Sequence, residues 1–280
     1  MVTSSAIYLA GSKQKLIKDI LPHLQDGKRK TLLTPFCGTG VVELNCISQD
    51  LFENYYSNDL EQWVVNLHKK LKDPVFILDC KAVNEKYPSD KKSYLQMRED
   101  YNDGGCTDDT LLFNLLMRSH SNRMRFSGRG KTYKCNIPYG ERNRFDMERM
   151  LRHHTLSQKM EVTQGSFASF LNSFSEVDWN EVTVYGDPPY LGTQAVYNSG
   201  WDNLDNSVFL DTMLHCHHRG AKVVFSNIFF NRGYVAQDLI NWCEEHSDKF
   251  EVHHLDMDYR NTAHIKYEGK KTDEVLIVSK

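Results

Sequence analysis

Short runs of β-branched and aromatic residues alternate along the chain with longer segments in which apolar residues recur at helical spacing. This alternation is typical of an α/β fold with helices packed on the faces of a mostly parallel sheet. Six strands are predicted, near Thr31 to Thr34, Tyr55 to Ser57, Val182 to Tyr185, Lys222 to Phe225, Phe250 to Leu255 and Glu274 to Val278. Only a polar loop separates the last two strands, so they are expected to form an antiparallel hairpin at the end of the sheet.

Segments with helical spacing predict four helices around these strands. Their expected bounds are Lys13 to Leu21, where Pro22 should end the helix, Val41 to about Leu51, Leu60 to Leu71, and Ser207 to His218, with Gly220 past its end. Between Asp73 and about Leu156 the alternation lapses, and polar stretches surround one strongly apolar helix, Thr110 to Met117. An inserted, mainly helical domain is therefore expected at residues 73–156, and residues 1–72 and 157–280 should form the other domain.

Length and composition narrow the class of protein. A chain of 280 residues is long enough for one large domain or for a domain with an insertion. Hydrophobic residues at 40% and charged residues at 25% match soluble globular proteins rather than disordered or fibrous ones. The first residues lack a signal peptide, and no apolar stretch is long enough to span a membrane. Seven cysteines without a CxxC pair favour reduced thiols and a cytoplasmic location.

The charge is distributed unevenly. The net charge of −3 does not by itself suggest a nucleic-acid partner. Between Arg118 and Arg152, however, the chain has ten basic residues and only three acidic ones, which gives a local charge of +7. A cationic surface concentrated in one segment indicates nucleic-acid binding, although a solvated surface with a chance cluster of charges would give the same count.

A glycine-containing loop, Phe36 to Gly40, follows the first predicted strand and precedes an apolar helix. Glycine lets the backbone approach a ligand closely, and the helix N-terminus presents N–H groups to a carboxylate or phosphate. About 20 residues further on, Asp59 ends the second strand, where an acid can bond the hydroxyls of a ribose. A tight turn would explain the glycines alone, whereas the loop together with Asp59 favours a nucleoside cofactor.

The segment Asp187-Pro188-Pro189-Tyr190 follows a predicted buried strand. Two prolines fix a rigid turn at the carboxyl end of the strand, where open α/β sheets bind ligands. Such a turn can direct the Asp187 carboxylate and the Pro188 carbonyl at one point. Two acceptors there could hold an adenine N6 amine as it attacks an electrophilic methyl group, and Tyr190 could stack on a flipped base. The alternative is an ordinary proline turn whose Asp and Tyr face solvent.

With these residues the chain resembles the Dam-type group, D12 class, of DNA adenine-N6 methyltransferases, most closely the T-even phage Dam proteins. Nine short segments match in the family's order. They are Ala10-Gly11-Ser12-Lys13-Gln14, Pro35-Phe36-Cys37-Gly38-Thr39-Gly40, Asn58-Asp59, Ser121-Asn122-Arg123-Met124-Arg125, Pro138-Tyr139-Gly140-Glu141-Arg142, Asp187-Pro188-Pro189-Tyr190, Tyr197-Asn198, Ser226-Asn227 and Thr272-Asp273-Glu274-Val275. Only the Asp-Pro-Pro-Tyr segment is specific by itself, and the order of all nine carries the resemblance.

The resemblance implies a Rossmann-like methyltransferase sheet that binds S-adenosylmethionine, with Asp187, Pro188 and Tyr190 catalytic. It places Lys13 near the cofactor, Asp59 on its ribose and Phe167 on its adenine. The implied cofactor-binding residues are Leu9, Lys13, Phe36, Gly38, Gly40, Asp59, Ser166, Phe167 and Asp187. Residues 1–72 and 157–280 would then be the catalytic domain, and residues 73–156 the target-recognition domain.

The resemblance also implies a partner, double-stranded DNA, bound by a monomer or weak dimer without metal or membrane. The family recognises GATC, and its guanine-contacting arginine falls on Arg125, whose guanidinium can bond guanine O6 and N7 together. Pro138 and Arg142 match a turn that follows the DNA, with Arg142 on a phosphate or half-site. The implied DNA-binding residues are His120, Ser121, Asn122, Arg123, Met124, Arg125, Pro138 and Arg142.

Four positions depart from the family's pattern. Thr34 stands where an acid usually precedes the glycine loop, which puts cofactor affinity in doubt. Leu9 replaces an aromatic residue, with Tyr8 one place earlier. His120 replaces an aromatic residue that wedges into the duplex, and Ser166 replaces a common Asp.

Other interpretations remain open. The consecutive residues His215 to His218 point in different directions on a helix and cannot close a tetrahedral metal site, so no metal is expected. Cys37 lies beside the glycine loop, but no step requires it as a nucleophile, and a packed small residue is the better interpretation. The chain could instead methylate RNA or another recognition sequence, or it could be a non-catalytic DNA-binding relative.

Overall fold

The computed structural model describes residues 2–128, 130–193, 200–255 and 272–280. Its helices are α1 (Ile17–Leu24), α2 (Val41–Ser48), α3 (Gln62–Lys70), α4 (Pro74–Lys86), α5 (Lys91–Asp103), α6 (Asp109–Met117), α7 (Met147–Ser157), α8 (Phe167–Asn172), α9 (Asn203–His218) and α10 (Gln237–Glu245). Its strands are β1 (Thr31–Thr34), β2 (Asn54–Asp59), β3 (Phe126–Ser127), β4 (Lys134–Cys135), β5 (Met160–Gln164), β6 (Val182–Gly186), β7 (Lys222–Asn231), β8 (Tyr234–Val235), β9 (Phe250–Leu255) and β10 (Asp273–Ser279). The matched segment Tyr197-Asn198 and most of the polar loop before β10 lie outside the described residues.

The chain divides into two compact units. The helical unit comprises Met1–Lys15, Gly38–Gln49 and Asp59–Gln164. The sheet unit comprises Leu16–Cys37, Asp50–Asn58 and Gly165–Lys280. The domain boundaries predicted at residues 72/73 and 156/157 remain a prediction.

The strands of the sheet unit run in the order β2, β1, β6, β7, β10, β9. The first four are parallel, with Leu33 opposite both Tyr56 and Val184, and Tyr185 opposite Val224. β10 is antiparallel to β7 and to β9, and the short β8 pairs with the end of β7. The α/β fold with a mostly parallel sheet and a terminal antiparallel hairpin is therefore confirmed.

Burial on both sides of the sheet explains why its central strands are predominantly apolar. Every residue of β6 is buried, and so are most residues of β7 and β10. Helix α9 contributes Phe209, Met213 and Cys216, all almost fully buried, to the same core. This core fixes the strand ends from which the candidate site residues follow.

The first helix differs from its prediction. Lys13–Lys15 form a short 3-10 helix, and α1 then runs from Ile17 to Leu24 with Pro22 inside it. Proline removes one backbone donor from a helix. Ile17, Ile20 and Leu24 are completely buried, and their packing outweighs that loss in so short a helix.

Two further predicted helices begin at other residues, and one strand was missed. Helix α3 begins at Gln62 rather than Leu60, whose side chain is 66% exposed and so gains nothing from helical packing. Helix α9 begins four residues earlier than predicted, because Asp202 and Asp205 form a capping box at its N-terminus. Strand β5 was not predicted, since only Met160 and Val162 on it are buried.

In the helical unit, aspartates cap the helices of the predicted insertion. Asp73, Asp90 and Asp108 accept main-chain N–H bonds at the starts of α4, α5 and α6. The apolar segment predicted as a helix is α6. None of the described helices is both long and apolar enough to cross a membrane.

All seven cysteines are free thiols. Six are buried, and Cys106, between α5 and α6, is partly exposed. Burial raises the pKa of Cys135 to about 11 and of Cys216 and Cys243 to about 12. These buried thiols therefore stay protonated and unreactive at neutral pH.

Candidate active site

The predicted catalytic turn begins where the buried strand β6 ends. A Cβ atom on Gly186 would lie 2.9 Å from Phe209 and 3.2 Å from Phe225, so only glycine fits between these rings. Asp187 and the buried Pro188 follow at the carboxyl edge of the sheet. This is the edge at which open α/β sheets bind ligands.

Tyr190 turns its hydroxyl back towards two carboxylates. The hydroxyl donates to Asp187 Oδ1 at 2.8 Å and lies 3.4 Å from Oε1 of Glu274. Burial, with Asp187 and Glu274 nearby, raises the pKa of Tyr190 well above its usual value. Tyr190 therefore remains a hydrogen-bond donor and orients the Asp187 carboxylate.

Glu274 was not predicted as a site residue. It is 1% exposed and lies in β10 between the paired strands β7 and β9. Its signal in the sequence is an acid at the start of an apolar strand, within a segment that the resemblance already matched. A buried acid requires donors, and Tyr190 is one of the groups near it.

An aromatic cluster follows the end of β1. Phe36 stacks on Phe167, with ring centroids 5.4 Å apart and an interplanar angle of 28°. Trp201 and Phe209 lie edge-on to Phe36 at 5.8 and 5.7 Å. Both predicted aromatic cofactor contacts thus belong to one apolar surface, and Trp201 was not predicted to join it.

Asn58 ties three loops of the sheet unit together. Its side-chain amide donates to the carbonyls of Gly165 at 2.8 Å and Pro35 at 3.3 Å. Its main-chain carbonyl accepts from the Cys37 N–H at 2.7 Å. Ser166 caps α8 by accepting from the Ser169 N–H. The small polar residue at position 166 therefore has a local structural use.

Thr34, which replaces the usual acid of the family, is fully buried. Its hydroxyl donates to the Ser57 hydroxyl at 2.8 Å. The hydroxyl thus links the neighbouring strands β1 and β2.

In the helical unit, main-chain groups hold the Asp59 carboxylate. Gly38 N–H donates to Oδ2 at 2.8 Å, and Glu61 N–H donates to Oδ1 at 3.0 Å. Burial raises the pKa of Asp59 to about 6, although these two hydrogen bonds oppose the rise. Gly40 adopts a left-handed conformation with φ of 68° and starts α2. The glycine loop and Asp59 are therefore directly connected by a hydrogen bond.

Two predicted cofactor-binding residues lie in the N-terminal segment. Both are buried, Leu9 with 8% and Lys13 with 6% of its surface exposed. The Lys13 ammonium donates to the Gly11 carbonyl at 3.1 Å. Tyr8, one place before Leu9, contacts two arginines. Its ring centroid lies 4.9 Å from the guanidinium carbons of both Arg144 and Arg149 in the basic segment.

The two predicted DNA-contacting segments come together in the helical unit. His120 N–H donates to the Pro138 carbonyl at 2.9 Å, and Gly140 N–H donates to the Arg118 carbonyl at 2.8 Å. The Arg142 guanidinium donates to the Ser119 carbonyl at 3.1 Å. Two main-chain bonds and one side-chain bond thus join residues some 20 positions apart in the sequence.

The exposure of these residues is not uniform. His120, Ser121, Arg125 and Pro138 are exposed, and Asn122, Arg123 and Arg142 are half-buried. Met124 is 3% exposed, so its side chain anchors the turn instead of standing on the surface.

The ten basic residues counted between Arg118 and Arg152 do not all lie on the surface, because Arg118 does not. It is completely buried, and its guanidinium donates to the carbonyls of Tyr87 at 2.7 Å and Asn84 at 3.1 Å. It belongs to the packing of the insertion and adds nothing to a DNA-facing surface.

Among the residues that the structure describes, no three His, Cys, Asp or Glu side chains are grouped so that they could hold a metal ion. His217 and His218 contact each other through their rings, and His217 also contacts Phe250.

Residues 9–257 match the family of D12 class N6 adenine-specific DNA methyltransferases. The chain belongs to this family. The match covers the glycine loop, the predicted catalytic turn and the basic segment, so it includes residues of both units of this D12-class chain.

Several modification methylases are similar to this D12-class chain. Type II methyltransferase M.FokI of Planomicrobium okeanokoites is 28% identical over 98% of the chain, which spans 42% of that protein. The retron Ec67 DNA adenine methylase of Escherichia coli is 26% identical over 80% of the chain and 77% of its own length. Among solved structures, the rRNA methyltransferase aviRa of Streptomyces viridochromogenes matches 99% of this chain and 88% of its own, with 12% identity and a TM-score of 0.42. That likeness is too low to add to the assignment.

Proposed function

We propose that this chain transfers a methyl group from S-adenosylmethionine to the N6 amine of a flipped-out adenine in duplex DNA. The hydrogen bond of Tyr190 to Asp187, at the end of a buried strand in a D12-class chain, carries the proposal. Because the amine lone pair is delocalised, acceptors from the Asp187 carboxylate and the Pro188 carbonyl would favour its attack. Tyr190 would stack on the flipped base.

The residues around the glycine loop fit the cofactor. Asp59, fixed by two N–H groups, offers a carboxylate to ribose hydroxyls, and the Phe36–Phe167 surface suits an adenine ring. The remaining proposed contacts are Leu9, Lys13, Gly38, Gly40 and Ser166. When bound, S-adenosylmethionine supplies the electrophilic methyl group.

We further propose a Dam-type target, GATC, recognised through Arg125. This side chain is exposed beside the turn that holds Pro138 and Arg142, so it can reach a base edge while Arg142 contacts a phosphate. His120 to Arg123 would follow the DNA backbone, with Met124 anchoring them from within. We expect the enzyme to act in the cytoplasm as a monomer or weak dimer on DNA.

The test is to express the chain in a bacterium without adenine methylation and to map N6-methyladenine across its genome. The proposal expects methylated adenine within GATC, and no methylation in cells that carry Asp187→Ala. Methylation of another sequence would leave the reaction standing and remove the proposed target. Methyl groups found in RNA alone, or none in DNA, would contradict the proposed function.

A further inference from the structure

Two buried side chains of the helical unit hold successive carbonyls of the glycine loop. His68 Nε2, on α3, lies 3.0 Å from the Gly38 carbonyl oxygen. The Ser5 hydroxyl donates to the Thr39 carbonyl at 2.5 Å. A Cβ atom on Gly40 would lie 2.6 Å from His68 Cε1, so the loop packs directly on the imidazole.

The chemistry of the His68 contact fixes its direction. A carbonyl oxygen only accepts, so Nε2 must carry the hydrogen and donate it. His68 is completely buried, which lowers its pKa to about 4 and keeps the imidazole neutral at pH 7. His153 lies behind it, with ring centroids 5.4 Å apart, and accepts the Ala6 N–H at 3.2 Å. The histidine pair forms a neutral, buried floor beneath the loop.

The geometry of the peptide bond links these carbonyl contacts to the direction in which the N–H groups of the glycine loop point. The described peptide bonds are all trans, so each carbonyl points opposite to the N–H of the next residue. With the Gly38 and Thr39 carbonyls held against His68 and Ser5, the N–H groups of Thr39 and Gly40 face away from this floor. The Gly38 N–H meanwhile donates to Asp59.

We propose that His68 is a positioning residue for cofactor binding, which acts by holding the Gly38 carbonyl so that the glycine loop and Asp59 keep their binding geometry. The inference rests on the proposed function, because the ligand of this loop is taken to be S-adenosylmethionine. His68 itself is separated from that ligand by the loop and is not a catalytic residue.

The test compares His68→Leu, which removes the donor, with His68→Gln, whose Nε2 can replace it. Asn114→Leu is the matched control, since Asn114 is also completely buried and donates to a carbonyl, that of Cys80, at 3.0 Å. Calorimetry measures the Kd for S-adenosylmethionine, steady-state kinetics separates KM from kcat, and thermal melting gives stability.

His68→Leu should raise the Kd and the KM for S-adenosylmethionine by roughly three- to tenfold with little change in kcat, the usual effect of one lost hydrogen bond. His68→Gln should stay within about twofold of wild type. Asn114→Leu should lower the melting temperature and leave the Kd unchanged. Wild-type affinity in His68→Leu, or equal weakening by Asn114→Leu, would overturn the proposal.

Nitrogen NMR of the wild-type protein tests the geometry without a substitution. The expected spectrum at neutral pH shows the His68 hydrogen on Nε2, and a hydrogen on Nδ1 would overturn the proposal. The two failures can be told apart. If the wild-type chain does not bind S-adenosylmethionine at all, the proposed function fails, whereas normal wild-type binding with an indifferent His68→Leu refutes only the role of His68.

Discussion

The proposed catalytic turn, Asp187 to Tyr190, and the proposed recognition segment, residues 118–142, hold their side chains by different means. Asp187 follows a strand whose residues are all buried and whose neighbours on both sides are parallel. The described part of the recognition segment contains two-residue strands, two three-residue 3-10 helices and the left-handed residues Ser121, Asn122 and Glu141. A few loop-to-loop bonds, such as His120 to Pro138, keep it together.

The two regions differ in the rigidity with which they hold their side chains, and we expect this difference to suit different tasks. A strand end anchored in a core holds a reacting group rigidly, which suits chemistry. A loop held by individual hydrogen bonds can adapt to a duplex and tolerates changes of side chain better. Substitutions in the catalytic turn should therefore change the rate, and those in the recognition segment should change the choice of sequence.

The largest effect is expected for Asp187→Ala. Removal of the acceptor for the target amine should slow methyl transfer at least about a hundredfold. The Kd for S-adenosylmethionine should stay within several-fold, because Asp187 is proposed to act on the base. Single-turnover rates and calorimetry measure the two quantities. Asp178→Ala, an exposed cap of the turn before β6, is the control and should change neither. Parallel loss of rate and cofactor affinity would show that Asp187 serves the cofactor.

Arg125→Ala tests the other region. Loss of a bidentate guanine contact should reduce discrimination at the first base of GATC by about 5- to 150-fold, equivalent to about 1 to 3 kcal/mol. Lysine should not restore it, since it lacks the planar guanidinium. The measurement is kcat/KM on duplexes that differ only at that base, with Arg152→Ala as an exposed control in the same basic segment. A uniform drop on all four duplexes would indicate a phosphate contact.

The enzyme should lose less activity in the Tyr190→Phe variant than in the Tyr190→Ala variant. The Phe variant loses the hydroxyl bond to Asp187, worth roughly threefold in kcat. The Ala variant also loses the stacking ring, which should cost about a further tenfold. Equal losses in the two variants would mean that orientation of Asp187 matters and stacking does not.

The smallest effect expected is a pH dependence of cofactor binding. The pKa of Asp59 is raised to about 6, so its carboxylate is protonated as the pH falls through that value. A charged acceptor binds a ribose hydroxyl more strongly than a neutral one, so affinity should be full above about pH 7, begin to fall near pH 6 and be about fivefold lower by about pH 5. Calorimetric titration across this range measures the change. Asp59→Asn should bind weakly with a flat profile, and a wild-type profile without a step would leave Asp59 outside the cofactor site.

The same contrast explains what the sequence could predict. β1 and β9 have their predicted bounds, and Asp187 was placed at the end of a buried strand, because apolar runs and proline turns are local signals. The position of Asp59 at the end of β2 was also expected from the order of loop, helix and strand, but the direct hydrogen bond from Gly38 N–H to its carboxylate was not.

Long-range packing could not be predicted in this way. Arg118 was counted as surface charge, yet it is buried because the carbonyls of Tyr87 and Asn84, more than 30 residues earlier, accept its hydrogens. Pro22 remains inside α1 because tertiary burial of its neighbours decides the helix. Glu274 and Tyr190 are 84 positions apart in the sequence, and no local pattern of residues predicts that they lie close together.

The exposure of Cys106 gives this chain a built-in attachment point for a spectroscopic reporter. The other six thiols are buried, so a maleimide dye should react at one position without any engineered substitution. The Cys106 sulfur lies 3.8 Å from the Tyr133 carbonyl, and the Tyr133 ring stacks on Phe126, next to Arg125. A fluorophore on Cys106 would therefore sense whether that loop changes its surroundings when a duplex is added, in the native sequence and in real time.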